Sequence, residues 1–339
     1  MYAAKVILDS VSPMGTRLIT MEWTYPRIVL AEVNTHKMVD KNTSSSRAVP
    51  FAKKLAAIQA NPFIPDRFPL NGPGMQPCAY MDESAGLIIV SLEDFDKKYG
   101  GKEVPSYIEC RDSWLDARDA AILEAEKLNN LGVHKEIVNR LLEPWEWTTS
   151  VLTATEWSNM WAQRCHPAAQ WQFQKVAKLA WQAMQDSKPV FVDYGRWHLP
   201  YLDDDDRKAL TDERQRKVSA ARCAAVSFHR QGEKREYDVL ENVFSRLVGG
   251  ADGKQPGHWS PLGHVARPLD VGDRCRVDAI ITRLSGTRYV VDSAASQPSG
   301  HTTEFFADAA WGANLRGFHQ LRKDFLWENF EVDPAWVRA

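Results

Sequence analysis

The chain can be read outward from one polar stretch, Asn34-Thr-His-Lys-Met-Val-Asp-Lys-Asn-Thr-Ser-Ser-Ser-Arg-Ala-Val-Pro50. It follows a segment that opens at Pro26, a residue favoured in the first turn of a helix, and that keeps Ile28 and Ala31 at helical spacing. The three consecutive serines offer hydroxyl and backbone N–H donors, and the planar guanidinium of Arg47 matches a phosphate at two points. The stretch therefore predicts a nucleotide phosphate site, although such a run taken alone is more often a solvated serine-rich turn.

Composition limits the classes of protein that the chain can represent. The 339 residues are 44% hydrophobic and include 13 Trp, enough for a core in one or two domains without disulfides. A net charge of −2 gives no basic field for duplex nucleic acid, and no run of about 18 apolar residues predicts a membrane span. We therefore expect a soluble, cytoplasmic protein without nucleic-acid or membrane partners.

Familiar catalytic motifs are missing from the sequence. It contains no glycine-rich dinucleotide fingerprint, no P-loop, no HExxH and no GxSxG, so a nucleotide site must be built differently. The cysteines form no CxxC pair, which fits neither a disulfide framework nor a metal site. We expect buried or idle thiols at Cys78, Cys110, Cys165, Cys223 and Cys275.

Hydrophobic spacing and helix-breaking residues predict the order of elements. A strand should run from Arg17 and stop before Pro26, and a capping box from Thr153 to Glu156 should open a helix that ends near Arg164. Residues 51–110 carry so many breakers that we expect long loops around one short helix. The other predicted segments are a helix over 112–142 interrupted near Gly132, a helix over 167–184, a loop over 188–206 with a solvated four-aspartate run, helices over 213–229 and 237–248, turns over 249–268, a weak strand pair over 274–291 and a helix over 314–330.

Three blocks of the chain resemble a known family. His36-Lys37, followed by seven residues, Ser45 and then Arg47, resembles the signature of the flavin-dependent thymidylate synthases. That signature reads Arg-His-Arg, seven residues, a serine and, two positions further on, an arginine. Asn42 also matches the family, and residues 132–144 and 159–171 resemble its next two blocks in order and spacing.

Two more blocks stand in an unusual order. Residues 220–228 and 260–264 resemble the Ala-Arg-Val-Ser and Ser-Pro-Phe-Glu-His segments, which normally precede the signature but follow it here. A circularly permuted branch of the family, often carried by viruses of bacteria, also has the Gly-Met-Gln of residues 74–76 and the Trp-His-Leu-Pro of residues 197–200. The chain resembles that bacteriophage-type branch, which would place it in the host cytoplasm.

The resemblance implies a fold as well. It is a mixed α/β (α+β) flavin-dependent thymidylate synthase-like fold, circularly permuted and helix-rich, around a central antiparallel or mixed sheet. Residues 1–339 would form a single domain with a loop insertion over 51–110 and a C-terminal extension over 269–339.

The implied chemistry is reductive methylation of a deoxyuridylate at C5, which converts dUMP to dTMP. FAD, reduced by NADPH, would accept a one-carbon unit from methylenetetrahydrofolate and pass it to the pyrimidine, without a cysteine nucleophile. The family's active site is shared between subunits of a tetramer. Together with the apolar surface of the predicted helices, this predicts a homotetramer.

The resemblance also implies roles for residues at matching positions. Arg164 would be catalytic, since a cation beside the pyrimidine stabilises the negative charge that develops on the ring oxygens as C5 becomes nucleophilic. The nucleotide would be bound by Glu32, Ser45, Ser46 through its backbone, Arg47, Arg140 or its neighbour Asn139, and Arg164. The flavin would be lined by Thr35, His36, Lys37, Asn42, Asn159, Ser227 and His264.

Several family residues are replaced in this chain. Thr35 and Lys37 stand where the signature has arginines, which removes two bidentate donors from the expected flavin site. Glu32 replaces a family glutamine, and Thr43 replaces a family glutamate. Gly263 replaces the glutamate that precedes the family histidine, which is His264 here. Because a carboxylate only accepts hydrogen bonds, Glu32 would favour the amino group of cytosine. Three functions stay open: dUMP methylation, methylation or hydroxymethylation of dCMP for modified viral DNA, and flavin-free nucleotide binding.

Overall fold

A five-stranded sheet lies at the centre of the fold. The computed structural model describes residues 1–227, 236–249, 257–269, 311–312 and 314–325. The strand order is β3 (Asp40–Thr43), β7 (Trp147–Ala154), β2 (Arg17–Pro26), β1 (Ala3–Val11) and β8 (Val190–Phe191). Neighbouring strands are antiparallel except β1 and β8, which are parallel. The predicted mixed α/β class with a central mixed sheet is confirmed.

The middle strand, β2, is covered on both faces. Most of its residues are buried, which is the pattern of a strand enclosed from two sides. Helices α6 (Ser158–Arg164) and α7 (Trp171–Asp186) belong to the core on one face, where the Trp23 ring lies against the rings of Trp157 and Trp161. β2 ends at Pro26, one residue beyond the predicted boundary.

A short helical segment connects β2 to the polar stretch. A 3-10 turn at Arg27–Val29 leads into α1 (Leu30–Asn34), whose buried residue is Val33. The prediction that Ile28 and Ala31 form the apolar face of a helix is wrong, because both side chains are exposed. The 3-10 turn shifts the phase of the helix and brings other residues to the core.

Residues 51–110 are more regular than their sequence predicts. They form α2 (Phe51–Ala60), an antiparallel sheet of β4 (Arg67–Leu70), β5 (Ala79–Asp82) and β6 (Gly86–Ile89), and α3 (Leu92–Tyr99). The prediction of long loops is wrong because the breakers make tight turns between short strands. The Asp82 carboxylate accepts the backbone N–H groups of Ser84 and Ala85, each at 2.9 Å, and Gly86 adopts a φ of +70°.

The next helical region follows its prediction in part. Helix α4 (Tyr107–Asn130) begins earlier than expected because Ser106 and Glu109 form a capping box. Gly132, with a φ of +83°, marks the predicted interruption before α5 (Lys135–Val138) and a 3-10 turn at Asn139–Trp145. The prediction of a capping box from Thr153 to Glu156 is wrong. Thr153 lies in β7, and α6 begins at Ser158 without a side-chain cap.

The four-aspartate run is a helix start rather than a solvated loop. Asp203 caps α8 (Asp204–Ala209), and the Asp206 carboxylate is buried against Arg222 of α9 (Asp212–Ala224). The predicted helices over 213–229 and 237–248 correspond to α9 and α10 (Tyr237–Leu247) within the described residues.

The last described residues take part in two small two-stranded sheets. A small pair of β10 (Trp311–Gly312) and β11 (Leu315–Arg316) is followed by β12 (Phe318–Gln320), which pairs with β9 (Ala266–Pro268). The predicted helix is therefore wrong over 314–325, where strands precede a 3-10 turn at Leu321–Asp324. The predicted strand pair over 274–291 and Cys275 lie outside the described residues.

Two further properties concern only the described part of the chain. None of its helices combines the length and the apolar content needed to cross a bilayer. Nor does it group three His, Cys, Asp or Glu side chains as metal ligands. Cys78 and Cys223 are buried and Cys110 and Cys165 are half-buried, all as free thiols.

Candidate functional site

Arg164, at the end of α6, is fixed by the polar stretch. Its Nε donates to Nε2 of His36 at 2.9 Å, and its Nη2 donates to Oγ1 of Thr35 at 3.2 Å. The guanidinium also lies over the ring of Phe173, 4.8 Å from its centroid. The structure thus brings the predicted catalytic arginine into contact with two residues predicted to line a flavin.

His36 is neutral in this arrangement. Burial, together with the charges of Arg164 and Lys41, lowers the pKa of His36 to about 4. Only a neutral imidazole can accept the Arg164 N–H at Nε2, because both nitrogens of the charged ring are donors. His36 therefore orients a permanent cation without placing a second charge beside it.

The serine turn at the end of the polar stretch is anchored by Asn139. The buried Asn139 amide donates to the backbone oxygens of Ser46 at 2.7 Å and Val49 at 3.0 Å. The Ser46 hydroxyl donates to Glu143 at 2.5 Å, so it is engaged within the protein, whereas Ser45 is exposed. Asn139 thus holds the turn in place with its amide nitrogen, which is not available to a ligand.

A buried ion network beneath the turn was missed by the sequence reasoning. Lys54 donates to the Ser46 hydroxyl at 3.2 Å and to Glu146 at 2.6 Å, and Arg27 pairs with Glu143 at 3.1 Å. Burial lowers the pKa of Lys54, and the Glu146 carboxylate opposes that shift. Lys54 and Glu146 are 92 residues apart in the chain, so no local pattern could have paired them.

Arg47 and Arg140 flank the turn and face solvent. Arg47 pairs with Glu136 at 3.3 Å and Arg140 with Glu143 at 3.6 Å, while 66% and 55% of the two arginine side chains stay accessible. Exposed pairs of this kind contribute little stability. Either guanidinium can therefore exchange its carboxylate partner for a phosphate at low cost.

A cleft of about 620 Å³ opens beside β3. The charged groups of its lining are Lys37, Asp40, Lys41 and Arg322, and Asn34 and Asn314 add amides. Burial and the neighbouring charge of Lys37 lower the pKa of Lys41 to about 8, which leaves it mostly charged at neutral pH. Three cations against one carboxylate make the cleft suited to an anionic ligand.

The Asp40 carboxylate of this cleft occupies the space that a side chain at position 263 would need. A Cβ at Gly263 would lie 2.9 Å from Cγ and Oδ2 of Asp40. The Gln320 amide holds this corner together, since its Nε2 donates to Asp40, to the Gly263 oxygen at 3.0 Å and to Asn314 at 3.1 Å. Burial raises the pKa of Asp40 to about 6, against the opposing charge of Arg322. An acidic group from β3 thus stands where the resembled family carries a glutamate.

Comparison with known proteins agrees with the resemblance. The family of thymidylate synthase complementing proteins, Thy1, matches residues 8–190, which is more than half of the 339-residue chain. The chain belongs to the Thy1 family. It is therefore an enzyme of the methyltransferase type that this family comprises.

The chain is also similar to solved structures, at low sequence identity. The UMP/dUMP methylase PolB from Streptomyces cacaoi, bound with 5-Br dUMP, is similar at 14% identity and a TM-score of 0.39, over 54% of this chain and 90% of that protein. No curated protein matches the chain.

The Thy1 match includes some predicted site residues and leaves out others. It spans the polar stretch, Asn159 and Arg164 but ends before Ser227 and His264. Asn159 is exposed, and the side chain of Ser227 lies outside the described part of the structure. The predicted circular permutation stays a prediction.

Asn42 and Glu32, two further residues predicted to bind a ligand, differ in their hydrogen bonds. The buried Asn42 amide donates to the Cys223 oxygen at 2.7 Å, so it ties β3 to the end of α9. Glu32 is half-buried, and its Oε2 is buried without a hydrogen-bond partner among the described residues. An unpaired buried carboxylate oxygen is costly, which makes Glu32 a candidate ligand contact.

His264 lies deep in the interior of the protein, next to Gly263. It is fully buried at the end of the 3-10 turn Ser260–His264, with Nδ1 bonded to Oγ1 of Thr153 at 2.8 Å. Burial, with Arg322 nearby, lowers the pKa of His264 to about 3, and burial, with His264 and Arg207 nearby, does the same for His198. Both imidazoles are neutral at pH 7.

These shifts predict acid sensitivity. The folded-state pKa values near 3 lie below the unfolded value of about 6.5, so the unfolded state binds more protons as the pH falls below 6.5. Each buried histidine should remove about 1.4 kcal/mol of stability per pH unit between pH 6.5 and 3. The urea midpoint of the wild type, measured at several pH values, should therefore fall across this window.

Histidine variants test whether the two buried histidines cause this pH dependence. His198→Asn and His264→Asn should each show a shallower dependence of the urea midpoint on pH. His134→Gln, at a histidine whose side chain is 69% accessible, should keep the wild-type dependence. Equal pH dependence in all four proteins would contradict the assignment.

Proposed function

We propose that this Thy1 enzyme transfers a one-carbon unit from methylenetetrahydrofolate to C5 of a pyrimidine deoxynucleoside monophosphate, converting dUMP to dTMP, with FAD and NADPH. The observation that carries the proposal is the Arg164 guanidinium held by neutral His36 at 2.9 Å. Both residues belong to family blocks, and the stretch that contains His36 ends in the serine turn.

The nucleotide phosphate would bind at that turn. Ser45 and the backbone of Ser46 offer donors, and Arg47 and Arg140 have weak, exposed carboxylate partners. A phosphate carries more charge than either carboxylate and accepts both N–H groups of a guanidinium fork. The rigid anchor at Asn139 keeps the backbone donors in position before the nucleotide arrives.

Arg164 would act on the pyrimidine itself. As C5 becomes nucleophilic, negative charge builds on the ring oxygens, and a cation that is already oriented stabilises that charge without reorganising. The bonds to His36 and Thr35 supply that orientation.

The cleft beside β3 fits FAD, because its three cations suit the pyrophosphate of an anionic cofactor. When bound, FAD supplies the redox chemistry that reduces the transferred carbon. Lys37 would meet the pyrophosphate as a point charge rather than as the fork of an arginine, which predicts weaker FAD binding than the family signature would give. The other residues proposed to line FAD are Thr35, His36, Asn42, Asn159, Ser227 and His264.

We keep circular permutation and a single domain over 1–339 as part of the proposal. The 3-10 turns at Ser260–His264 and Ala225–Ser227 both pack against β3 and β7. Family blocks that follow the signature in sequence thus lie beside it in space, which supports a permuted chain.

One observation favours a second substrate, dCMP. Glu32 Oε2 is a buried acceptor without a partner among the described residues, and cytosine carries an amino donor where uracil has a carbonyl. The product would then be methylated or hydroxymethylated dCMP. We rank this below dUMP because family membership points to thymidylate chemistry.

Product analysis tests the proposal. The protein is incubated with dUMP or dCMP, methylenetetrahydrofolate, NADPH and FAD, and the nucleotide mass is measured. A gain of one CH2 on dUMP supports the first function, and a gain on dCMP that disappears in Glu32→Gln supports the second. No change in either nucleotide, with a colourless protein that cannot be reconstituted with FAD, would leave only flavin-free nucleotide binding.

We also propose a homotetramer. Leu179 and Trp181 on α7 and Ile108 and Leu123 on α4 are large apolar side chains left exposed in the single chain. Light scattering at micromolar concentration should give the mass of four chains, and a monomer would remove the basis for a shared site.

A further inference from the structure

A line of hydrogen bonds crosses the buried interior between two histidines. Ser10 Oγ bonds to Nδ1 of His198 at 2.7 Å, and Nε2 of His198 bonds to Oγ1 of Thr20 at 2.8 Å. Thr20 bonds to Thr153 at 2.6 Å, and Thr153 bonds to Nδ1 of His264 at 2.8 Å. All five side chains have no solvent-accessible surface, so this buried relay is closed off from bulk solvent along its length.

One end of the buried relay lacks a hydrogen-bond partner. Nε2 of His264 has no hydrogen-bond partner among the described residues. Buried polar groups are retained when all of them are paired, and one left unpaired in a native structure calls for a partner. His198 belongs to the Trp-His-Leu-Pro segment of residues 197–200, for which the proposed function has no role.

A threonine hydroxyl can accept two hydrogen bonds and direct its own hydrogen out of the relay, but neither Thr20 nor Thr153 has another acceptor among the described residues. When both threonine hydrogens are used within the buried relay, counting hydrogens leaves two arrangements. Five neutral groups carry one mobile hydrogen each, and four links need one each. If the Ser10 hydroxyl donates to His198, every later group must donate in the same direction, and the spare hydrogen sits on His264 Nε2. If His264 Nδ1 donates to Thr153, the direction reverses, and the Ser10 hydroxyl keeps the spare hydrogen.

The first arrangement leaves fewer groups unpaired. In the reversed arrangement, the Ser10 hydroxyl has no second acceptor among the described residues, and His264 presents a bare nitrogen. In the forward arrangement only the His264 Nε2–H is open. Because a buried unpaired donor is costly, the forward direction is favoured.

We propose that His198, Thr20 and Thr153 are positioning residues that fix the proton of His264 on Nε2, so that His264 donates a hydrogen bond to an acceptor atom of the bound flavin or pyrimidine. This inference rests on the proposed function, in which His264 lines the flavin. His264 has no solvent-accessible surface and does not line the cleft, but the preceding Gly263 packs against Asp40, which does, so a ligand reaches Nε2 only when this corner opens as the ligand binds.

The charges around the buried relay keep it neutral. Arg322 faces His264, and Arg207 and His264 face His198. Positive neighbours and burial both disfavour a charged imidazole. The hydrogen count is therefore valid at neutral pH.

Threonine variants test the buried relay through turnover. Thr153→Val keeps the shape of the side chain but breaks two links, and it should lower kcat roughly tenfold, the value of one lost hydrogen bond. Thr153→Ser keeps the hydroxyl and should restore most of that loss. Thr24→Val is the matched control, because Thr24 and Thr149 form the same kind of cross-strand pair on β2 and β7, at 3.0 Å, outside the relay. If Thr153→Val and Thr24→Val reduce kcat equally, the inference is overturned.

A measurement without turnover separates this inference from the proposed function. In protein labelled with 15N at histidine, the ring-nitrogen shifts of His264, assigned by comparison with His264→Gln, should show hydrogen on Nε2 and none on Nδ1. Thr153→Val should change these shifts, and Thr24→Val should not. A hydrogen on Nδ1 in the wild type would overturn the inference, even if the enzyme methylates dUMP. The expected shifts in a protein that methylates nothing would leave the tautomer assignment standing and reject only the proposed function.

Discussion

Arg164→Ala should lower kcat for the nucleotide by about 10² to 10³, the usual effect of removing one preorganised donor from a developing negative charge. The KM for the nucleotide should change far less, because the turn with Ser45 and Arg47 still binds the phosphate. Steady-state kinetics at saturating co-substrate measures both parameters. Arg164→Lys should recover little, since an ammonium cannot bond His36 and Thr35 in the same plane.

The control for this experiment is an arginine that lies away from the site. Arg118 on α4 is half-buried and pairs with its exposed neighbour Asp119, without contact to the site residues, so Arg118→Ala should retain wild-type kinetics. If Arg164→Ala instead raises KM and leaves kcat unchanged, the arginine only binds the substrate and the assigned role in the transition state is wrong.

Arg222→Ala should cost about 3–5 kcal/mol of unfolding free energy, because it leaves a buried carboxylate without its cation. Nη2 of Arg222 donates to Asp206 at 2.9 Å, and the Asp206 side chain is almost fully enclosed. Although burial acts to raise it, the bonds from Arg222 and the Asp203 N–H hold the pKa of Asp206 below its usual range. The carboxylate is therefore charged in the wild type, and Arg222→Ala removes the larger of the two bonds that keep its pKa low.

A matched pair on the same helix gives the comparison. Arg214 on α9 pairs with Glu241 and Asp238 at the surface, so Arg214→Ala should cost about 0–1 kcal/mol. Urea unfolding followed by far-ultraviolet circular dichroism measures both variants. Equal losses in the two variants would show that the Asp206 pair is hydrated in solution.

The sequence was most informative where structure is decided locally. Strand β2 was predicted because residues 17–25 alternate and are followed by a proline, and the break near Gly132 agrees with the positive φ that glycine tolerates. The Thr153 prediction failed because its hydroxyl is used across the sheet by Thr20 and His264 rather than by the next helix.

The site could be predicted only as a set of residues. The family blocks predicted Arg164, His36 and the serine turn as site residues. They did not predict that the His36 imidazole accepts a hydrogen bond from the Arg164 guanidinium. The supports of the site, such as Lys54 for Ser46, come from elements distant in sequence, and their contacts depend on packing rather than on spacing. The same reason explains why Asp206 was taken for a solvated residue: its partner Arg222 is 16 residues away.

The corner formed by Asp40, Gly263 and Gln320 has a consequence for biosynthesis. Asp40 is made early, whereas Gln320 is separated from it by 280 residues. While residues 320–322 are still inside the ribosomal exit tunnel, the Gln320 amide and the Arg322 guanidinium cannot reach the cleft. A nascent chain should therefore fold the central sheet before it can hold any ligand beside β3, and competence for binding should appear only after residues 320–322 have left the tunnel.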